Sequence, residues 1–281
     1  MFKHLIRGLV AVSLIASLAP SVASGGDSDE LDTRLEVDID QKSVGAILAR
    51  GVKTAEHSCQ FSDDRFFATE KSDEEKWQAY EVTDGCDLVL THRWMGTLAD
   101  APIDLGVEDD KDDGIEKEET TLAPELTTAG VSLRLDILAA TTCKEHRQRI
   151  YTYGGGGPTL DKLTRVENSA GICSNGSSAW IEFHSRNCYA TDPPGGWAWV
   201  IDACNTSAIV WGPASYVYKT DHGAFHCSPP GSSPCSLSSP DGYYHSLYSR
   251  FRAWGSGAVT CDWWWGGQVV FGPKQQILLG C

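Results

Sequence analysis

The clearest pattern in the chain is an alternation of apolar and polar residues in its second half. Val131, Leu133, Leu135 and Ile137 are apolar, and the residues between them are polar or charged. A period of two places successive side chains on opposite faces of a strand, so this segment predicts a strand with one buried face. Further short candidate strands follow, at residues 148–153, 162–167, 178–184, 197–203, 207–211, 216–220, 243–254, 258–263, 268–271 and 276–279.

The segments between these candidate strands are rich in turn-forming residues. Residues 154–158, 192–196 and 228–234 are composed of Gly, Pro, Asp, Ser and little else. Many short strands joined by such turns are typical of sandwiches and barrels. We therefore predict a mainly β fold, with a disulfide-braced antiparallel β-sandwich or barrel over residues 130–281.

A small folded element is predicted ahead of this domain, over residues 43–99. Ser43 is a suitable N-cap for a short helix through residue 52. Further along, two apolar segments flank Asp84 and Gly85, which predicts a β-hairpin around an Asp-Gly turn. This part is expected to be a small α+β or β-hairpin element.

Charge divides the chain into two unlike parts. Residues 24–129 contain 28 acidic and 10 basic residues, a net charge of −18, whereas residues 130–281 contain 10 acidic and 11 basic residues, a net charge of +1. Most of the acidity lies in two stretches, which predict an acidic flexible segment at 24–42 and an acidic linker at 100–129. So negative a chain is a poor partner for nucleic acid, whose phosphates require a basic surface.

The first 23 residues have the layout of a secretory signal peptide. Lys3 and Arg7 precede an apolar run of about a dozen residues, and small residues follow. The run is shorter than the roughly 20 residues that cross a bilayer core. The sequence therefore predicts a secreted or extracytoplasmic protein without membrane insertion.

All ten cysteines lie beyond this signal. An even number of cysteines in an exported chain predicts disulfides, and the spacing is wrong for a Cys-based zinc site. A local bridge is expected between Cys59 and Cys86, another within the loop from Cys227 to Cys235, and a bridge that ties down the terminal Cys281. The remaining pairings are open; the full set is Cys59, Cys86, Cys143, Cys173, Cys188, Cys204, Cys227, Cys235, Cys261 and Cys281.

Tryptophan is concentrated in the predicted β domain, which makes its surface a candidate ligand platform. In a strand, Trp263 and Trp265 project to one face and Trp264 to the other, so at least one of them faces away from the core. Trp197 and Trp199 likewise share a face. Exposed rings of this kind suit the apolar face of a sugar, although the same residues would also pack well inside a sandwich.

Two histidines form a weaker candidate site. His222 and His226 return to the same face of an extended segment, which makes them candidate metal ligands. A surface role at a strand end is the competing interpretation. No nucleophile, zinc-protease or phosphate-binding motif is present, so no catalytic residue and no cofactor is predicted.

These observations favour a secreted, non-enzymatic binding protein that uses a Trp-rich β surface, with a glycan or another cell-surface molecule as its partner. Two other classes stay open. One is an exported hydrolase or toxin whose acidic N-terminal part is a removable prosegment, and the other is a structural envelope component.

Overall fold

The computed structural model describes residues 34–55, 58–62, 65–105, 114–123, 141–154, 160–191, 198–228 and 243–281. The predicted signal peptide, the alternating segment at 131–137 and all of the turn-rich pieces at 154–158, 192–196 and 228–234 except Gly154 and Ser228 lie outside these residues. From Arg34 to Cys281 the chain forms one unit.

Strands account for nearly all of the regular structure in the described residues. Their only helix is a single 3₁₀ turn at Leu98–Asp100. The strands are β1 Leu35–Asp38, β2 Ile47–Arg50, β3 Val52–Ala55, β4 Ser58–Ser62, β5 Arg65–Glu70, β6 Lys76–Val82, β7 Asp87–Met95, β8 Gly114–Leu122, β9 Thr142–Gly154, β10 Asp161–Ser174, β11 Ala179–Thr191, β12 Ala198–Val210, β13 Tyr216–Ser228, β14 Tyr244–Trp254, β15 Val259–Trp265, β16 Gln268–Phe271 and β17 Gln276–Gly280.

These strands form two sheets. The larger sheet has the order β12-β13-β14-β15-β5-β1, and β14 also pairs with β16, which leads on to β4 and β3. The smaller sheet has the order β2-β7-β6-β17-β9-β10-β11-β8. Pairing is antiparallel throughout except between β1 and β5. The predicted disulfide-braced, antiparallel β architecture is confirmed.

The core lies between the inner faces of the two sheets. Strand β14 alternates strictly between buried and half-buried positions, as a strand with one covered face must. Aromatic rings fill the centre: the rings of Phe67 and Trp263 are stacked at 4.7 Å, and Trp265 lies edge-on to Trp263 at 6.0 Å. Rings in these geometries combine large buried areas with favourable electrostatics.

Three of the four described disulfides join one sheet to the other. Cys59–Cys86 connects β4 to the β6–β7 turn, and Cys188–Cys204 connects β11 to β12. The third, Cys261–Cys281, ties the end of the chain to β15. The pairing of Cys59 with Cys86 and the anchoring of Cys281 are therefore confirmed.

The other disulfides lie elsewhere. Cys143–Cys173 crosses between the neighbouring strands β9 and β10. Cys227 is also disulfide-bonded, and Cys235 is outside the described residues. None of the cysteines in the described ranges is free.

The hairpin around Asp84 and Gly85 is confirmed, because β6 and β7 pair across that turn. The expected helix over residues 44–52 is wrong. Its residues form β2 and the start of β3. Two glycines explain the difference: Gly45 has a φ of +89°, which no helix residue adopts, and Gly51 separates the two strands.

The acidic stretches also contain structure that charge alone did not predict. Leu35–Asp38 within the first stretch pairs with β5, and Gly114–Leu122 within the second forms β8 at the edge of the smaller sheet. An edge strand has one unpaired side and tolerates a highly charged sequence.

Strands from residues 43–99 and from residues 141–281 share both sheets. In the larger sheet β5 pairs with β15 and β4 with β16, and in the smaller sheet β6 pairs with β17. The described chain is therefore a single folded unit rather than a small element followed by a separate β domain. Linker-like composition therefore does not mark a domain boundary here.

Candidate functional site

The tryptophans predicted to form a ligand platform are buried. Trp263 and Trp265 point into the core, at 0% and 1% exposure, and Trp264 lies on the opposite face, as strand alternation requires. Trp264 is nevertheless only 6% exposed, because Tyr248 stacks on its ring at 5.1 Å and the Arg250 guanidinium lies 4.8 Å from it. The open platform expected at residues 263–265 is therefore not present.

In the second predicted pair, the member that the structure describes does not offer an open face. Trp199 is 2% exposed and stacks on His245 at 4.4 Å. Trp197 lies outside the described residues. Neither strand periodicity nor composition distinguishes an outward-facing Trp from one that a neighbouring strand covers.

The two candidate metal-binding histidines have separate partners. His222 Nε2 lies 2.8 Å from Ser246 Oγ, and His226 Nδ1 lies 2.8 Å from both oxygens of Asp202. Four residues of extended strand span about 13 Å, too far for two side chains to share one ion. The structure therefore does not bring them together as ligands.

One other group has the spacing of metal ligands in the described part of the chain, namely Cys143, Cys173 and Glu182. Its two sulfur atoms are already bonded to each other. A thiolate is the form of cysteine that binds metal, so this group is a disulfide beside a carboxylate.

A solvent-open cavity of about 410 Å³ lies at one end of the sandwich. It is formed by the β5–β6 connection, the start of β9, the end of β10 and the β14–β15 turn. Trp254 is the only Trp, Tyr or Phe among its lining residues. The polar lining includes Lys71, Asp73, Lys144, Glu145, His146 and Ser256. This volume falls in the usual range of small-molecule sites.

The turn beside Trp254 is fixed by two glycines. A Cβ on Gly255 would lie 2.2 Å from the carbonyl carbon of Ser177, so only glycine fits against that backbone. Gly257 has a φ of +89°, in the left-handed region that favours glycine. The Trp254 ring contacts the Tyr216 ring at 5.4 Å and the Arg252 guanidinium at 5.8 Å. These contacts place the ring beside the turn, on the face of the larger sheet that carries Arg252.

Charged groups of both signs line the mouth of the cavity. Lys144 Nζ lies 2.9 Å from Asp73 Oδ1, and this hydrogen bond lowers the pKa of Asp73. Lys71 is half-buried, and burial lowers the pKa of its ammonium. The cavity therefore offers both hydrogen-bond donors and acceptors to a ligand.

His146 lies on the inner wall of the cavity. Burial, followed by the charges of Lys71 and Lys144, lowers its pKa to about 4, so the imidazole is neutral at pH 7. Its Nδ1 is buried without a hydrogen-bond partner among the described residues. A neutral imidazole can donate or accept one hydrogen bond at each nitrogen, according to its tautomer.

Trp254 was not singled out by the sequence reasoning, although the sequence carries a signal for it. It is the last residue of a predicted strand and is followed by Gly-Ser-Gly, a turn that leads into the next predicted strand. An aromatic residue at the end of a strand lies at the rim of a sandwich, where no opposing strand covers it.

No protein-family model, no curated protein and no solved structure matches this chain significantly. Among the residues that the structure describes, no helix has the length and hydrophobicity to cross a membrane.

Proposed function

We propose that the protein is an extracytoplasmic, non-enzymatic carbohydrate-binding protein, and that the cavity beside Trp254 takes one sugar residue of a glycan. The observation that carries this proposal is the combination of one aromatic residue, Trp254, with donors and acceptors of both charges around one cavity of about 410 Å³. An indole face suits the apolar face of a pyranose, and the surrounding polar groups suit its hydroxyls.

The placement outside the cytosol is supported by the covalent chemistry. Four disulfides lie in the described residues, and such bonds persist in oxidising compartments. Cys143–Cys173 joins the two strands that supply the Lys144 and Ser174 side of the cavity. The cavity wall is thereby braced by a bond that needs such a compartment.

The competing interpretation of residues 24–129 as a removable prosegment has weaker support. These residues supply β1 to β8, including β5 and β6 in the interiors of the two sheets. Cleavage there would remove Lys71 and Asp73 from the cavity and would leave β15 and β17 each paired on one side only, with β14 and β9. An intact chain is the form that this proposal requires.

The interpretation of the protein as a hydrolase also has weaker support than the binding proposal. Asp221 and Asp262 are fully buried carboxylates, but each pairs with lysine or arginine, and they lie on opposite faces of the larger sheet. Glycoside hydrolysis needs two carboxyl groups that face each other across the bond to be broken.

The test is a binding titration with a panel of soluble oligosaccharides made of neutral hexoses, N-acetylhexosamines or uronic acids. Binding is measured by calorimetry for the wild type, Trp254→Ala and Trp94→Ala. Trp94 is a matched control, because it is also half-buried but stacks on Trp77 outside the cavity, at 5.8 Å.

We expect at least one sugar class to bind the wild type, and Trp254→Ala to weaken that binding about tenfold or more, which corresponds to about 1.4 kcal/mol. Trp94→Ala should bind as the wild type does. Absence of binding to every member of the panel, or equal affinities for wild type and Trp254→Ala, would contradict the proposal.

A further inference from the structure

The side chains of Lys219, Asp221 and Asn168 meet between the two sheets, away from the cavity. Lys219 and Asp221 lie on β13 of the larger sheet, and Asn168 lies on β10 of the smaller one. Their exposed fractions are 0%, 1% and 0%. Three polar side chains are thus enclosed together between the sheets.

The Lys219 amine is in contact with both of the other groups. Its Nζ lies 2.8 Å from Asn168 Oδ1 and 2.5 Å from Asp221 Oδ2. The Asn168 carboxamide is held in place, since its Nδ2 donates a hydrogen bond to the Ser249 carbonyl oxygen at 3.0 Å. The amide carbon, one bond away from Oδ1, is therefore within reach of the amine.

Burial favours the reactive forms of these groups, whereas the carbonyl oxygens of Ser169 and Ser185, at 3.2 and 2.7 Å from Nζ, accept hydrogen bonds from the lysine. Burial lowers the pKa of the Lys219 ammonium and raises the pKa of the Asp221 carboxyl, although their mutual attraction opposes both changes. A lysine without its proton is a nucleophile, and a neighbouring carboxyl group can carry a proton from one atom to another. Both groups are fixed by folding, so the reaction requires no encounter in solution.

We propose that Lys219 and Asn168 join spontaneously in the folded protein to form an isopeptide bond, with Asp221 as the group that transfers the proton. The lone pair of the uncharged Nζ forms a bond to Cγ of Asn168, and the bond from Cγ to Nδ2 breaks. The proton lost by Nζ passes through Asp221 to the departing nitrogen, which leaves as ammonia. No electron donor or acceptor takes part, and Asp221 ends in the protonation state in which it began.

The product is a covalent link between the two sheets that reducing agents do not cut. Three disulfides already cross between the sheets, but none of them lies at this point of the sandwich. Such a bond would keep β10 and β13 joined when the disulfides are reduced.

The test is the intact mass of the purified, disulfide-reduced wild-type chain, with its N-terminus determined from the terminal peptide. We expect a mass lower by one ammonia than the residues predict, and a protease fragment in which the peptides containing residues 168 and 219 are joined. A full mass with both peptides recovered separately would overturn the proposal.

Variants distinguish this bond from other reactions that also lower the mass by one ammonia. Lys219→Met and Asp221→Asn should each have the full mass, whereas the exposed control Lys53→Met should keep the deficit. Asn168→Asp should lose water in place of ammonia if it reacts. A mass deficit that persists in Lys219→Met would come from ring closure at an asparagine and would overturn the proposal. If a variant fails to fold, the protease digest of the wild type still decides whether the two peptides are joined.

Discussion

The larger sheet buries one aspartate on each face, and the two have different partners. On the inner face, Asp221 pairs with Lys219. On the outer face, Asp262 accepts hydrogen bonds from Arg250 Nε at 2.8 Å and from Arg252 Nη2 at 2.9 Å. Burial raises the pKa of both carboxyl groups, and the neighbouring cations lower it.

The difference between the two sites lies in the cation. Arginine stays protonated under all ordinary conditions, so the outer site remains an ion pair and acts as structure. Lysine loses its proton far more readily when buried, which makes the inner site capable of chemistry. A buried ion pair on this sheet is therefore structural or reactive according to which base it contains.

The largest effect is expected from removing the outer aspartate. Asp262→Ala leaves Arg250 and Arg252 mostly buried without their shared partner, and should lower the free energy of unfolding by about 3 to 5 kcal/mol. Urea unfolding followed by fluorescence measures this.

The matched control for that change is Glu36→Gln. Glu36 also pairs with Arg252, at 3.4 Å, but its side chain is half exposed, so its loss should cost about 1 kcal/mol or less. Equal costs for the two variants would show that Asp262 does not organise the outer face.

The next largest effect is a loss of stability at low pH caused by a histidine on the inner face. His245 is fully buried on the inner face, and burial lowers its pKa to about 3. Below pH 6.5 the unfolded chain takes up a proton at this position and the folded chain does not. Stability should therefore fall as the pH is lowered from about 6.5 towards 4, by about 1.4 kcal/mol per pH unit for this residue.

Urea unfolding at several pH values tests that expectation. Replacing His245 by Gln should remove its share of the acid sensitivity. His146 and His184, whose pKa values burial lowers to about 4, contribute to the slope that persists, as does His222, whose pKa burial also lowers. An identical slope in the wild type and His245→Gln would contradict the assignment.

The smallest effect concerns the aromatic stack on the outer face. The rings of His222, Tyr248 and Trp264 are stacked across β13, β14 and β15, at 4.4 and 5.1 Å. Tyr248→Leu should cost about 0.5 to 1.5 kcal/mol more than Tyr248→Phe, which keeps the ring. If the two variants unfold at the same urea concentration, the stack contributes nothing measurable.

Much of the fold followed from local patterns. Period-two alternation and glycine-rich turns predicted the β architecture, and the presence of only two cysteines, Cys59 and Cys86, within residues 43–99 predicted their bridge. Those features depend on neighbouring residues. The pairing of β1 with β5 and the edge position of β8 depend on partners far along the chain, and they were missed because charge suggested loops.

The sites were predicted less well, for a physical reason. Alternation placed Trp264 on the opposite face from Trp263, but coverage of that face by Arg250 and Tyr248 comes from another strand. The inner pair carried a usable signal: Lys219 and Asp221 alternate in phase with Val217 and Phe225, so a strand that buries those apolar residues also buries the charges. Asn168, more than 50 residues away, could be placed beside them only by the fold.

The most direct test of the contrast between the two faces is a crystal structure at a resolution that separates bonded from non-bonded atoms. We expect continuous density from Lys219 Nζ to Asn168 Cγ, no atom at the Nδ2 position, and Asp262 with its two arginines unchanged on the other face. Separate lysine and asparagine side chains, with Nζ at hydrogen-bond distance from Oδ1, would show that the inner site is a structural ion pair like the outer one.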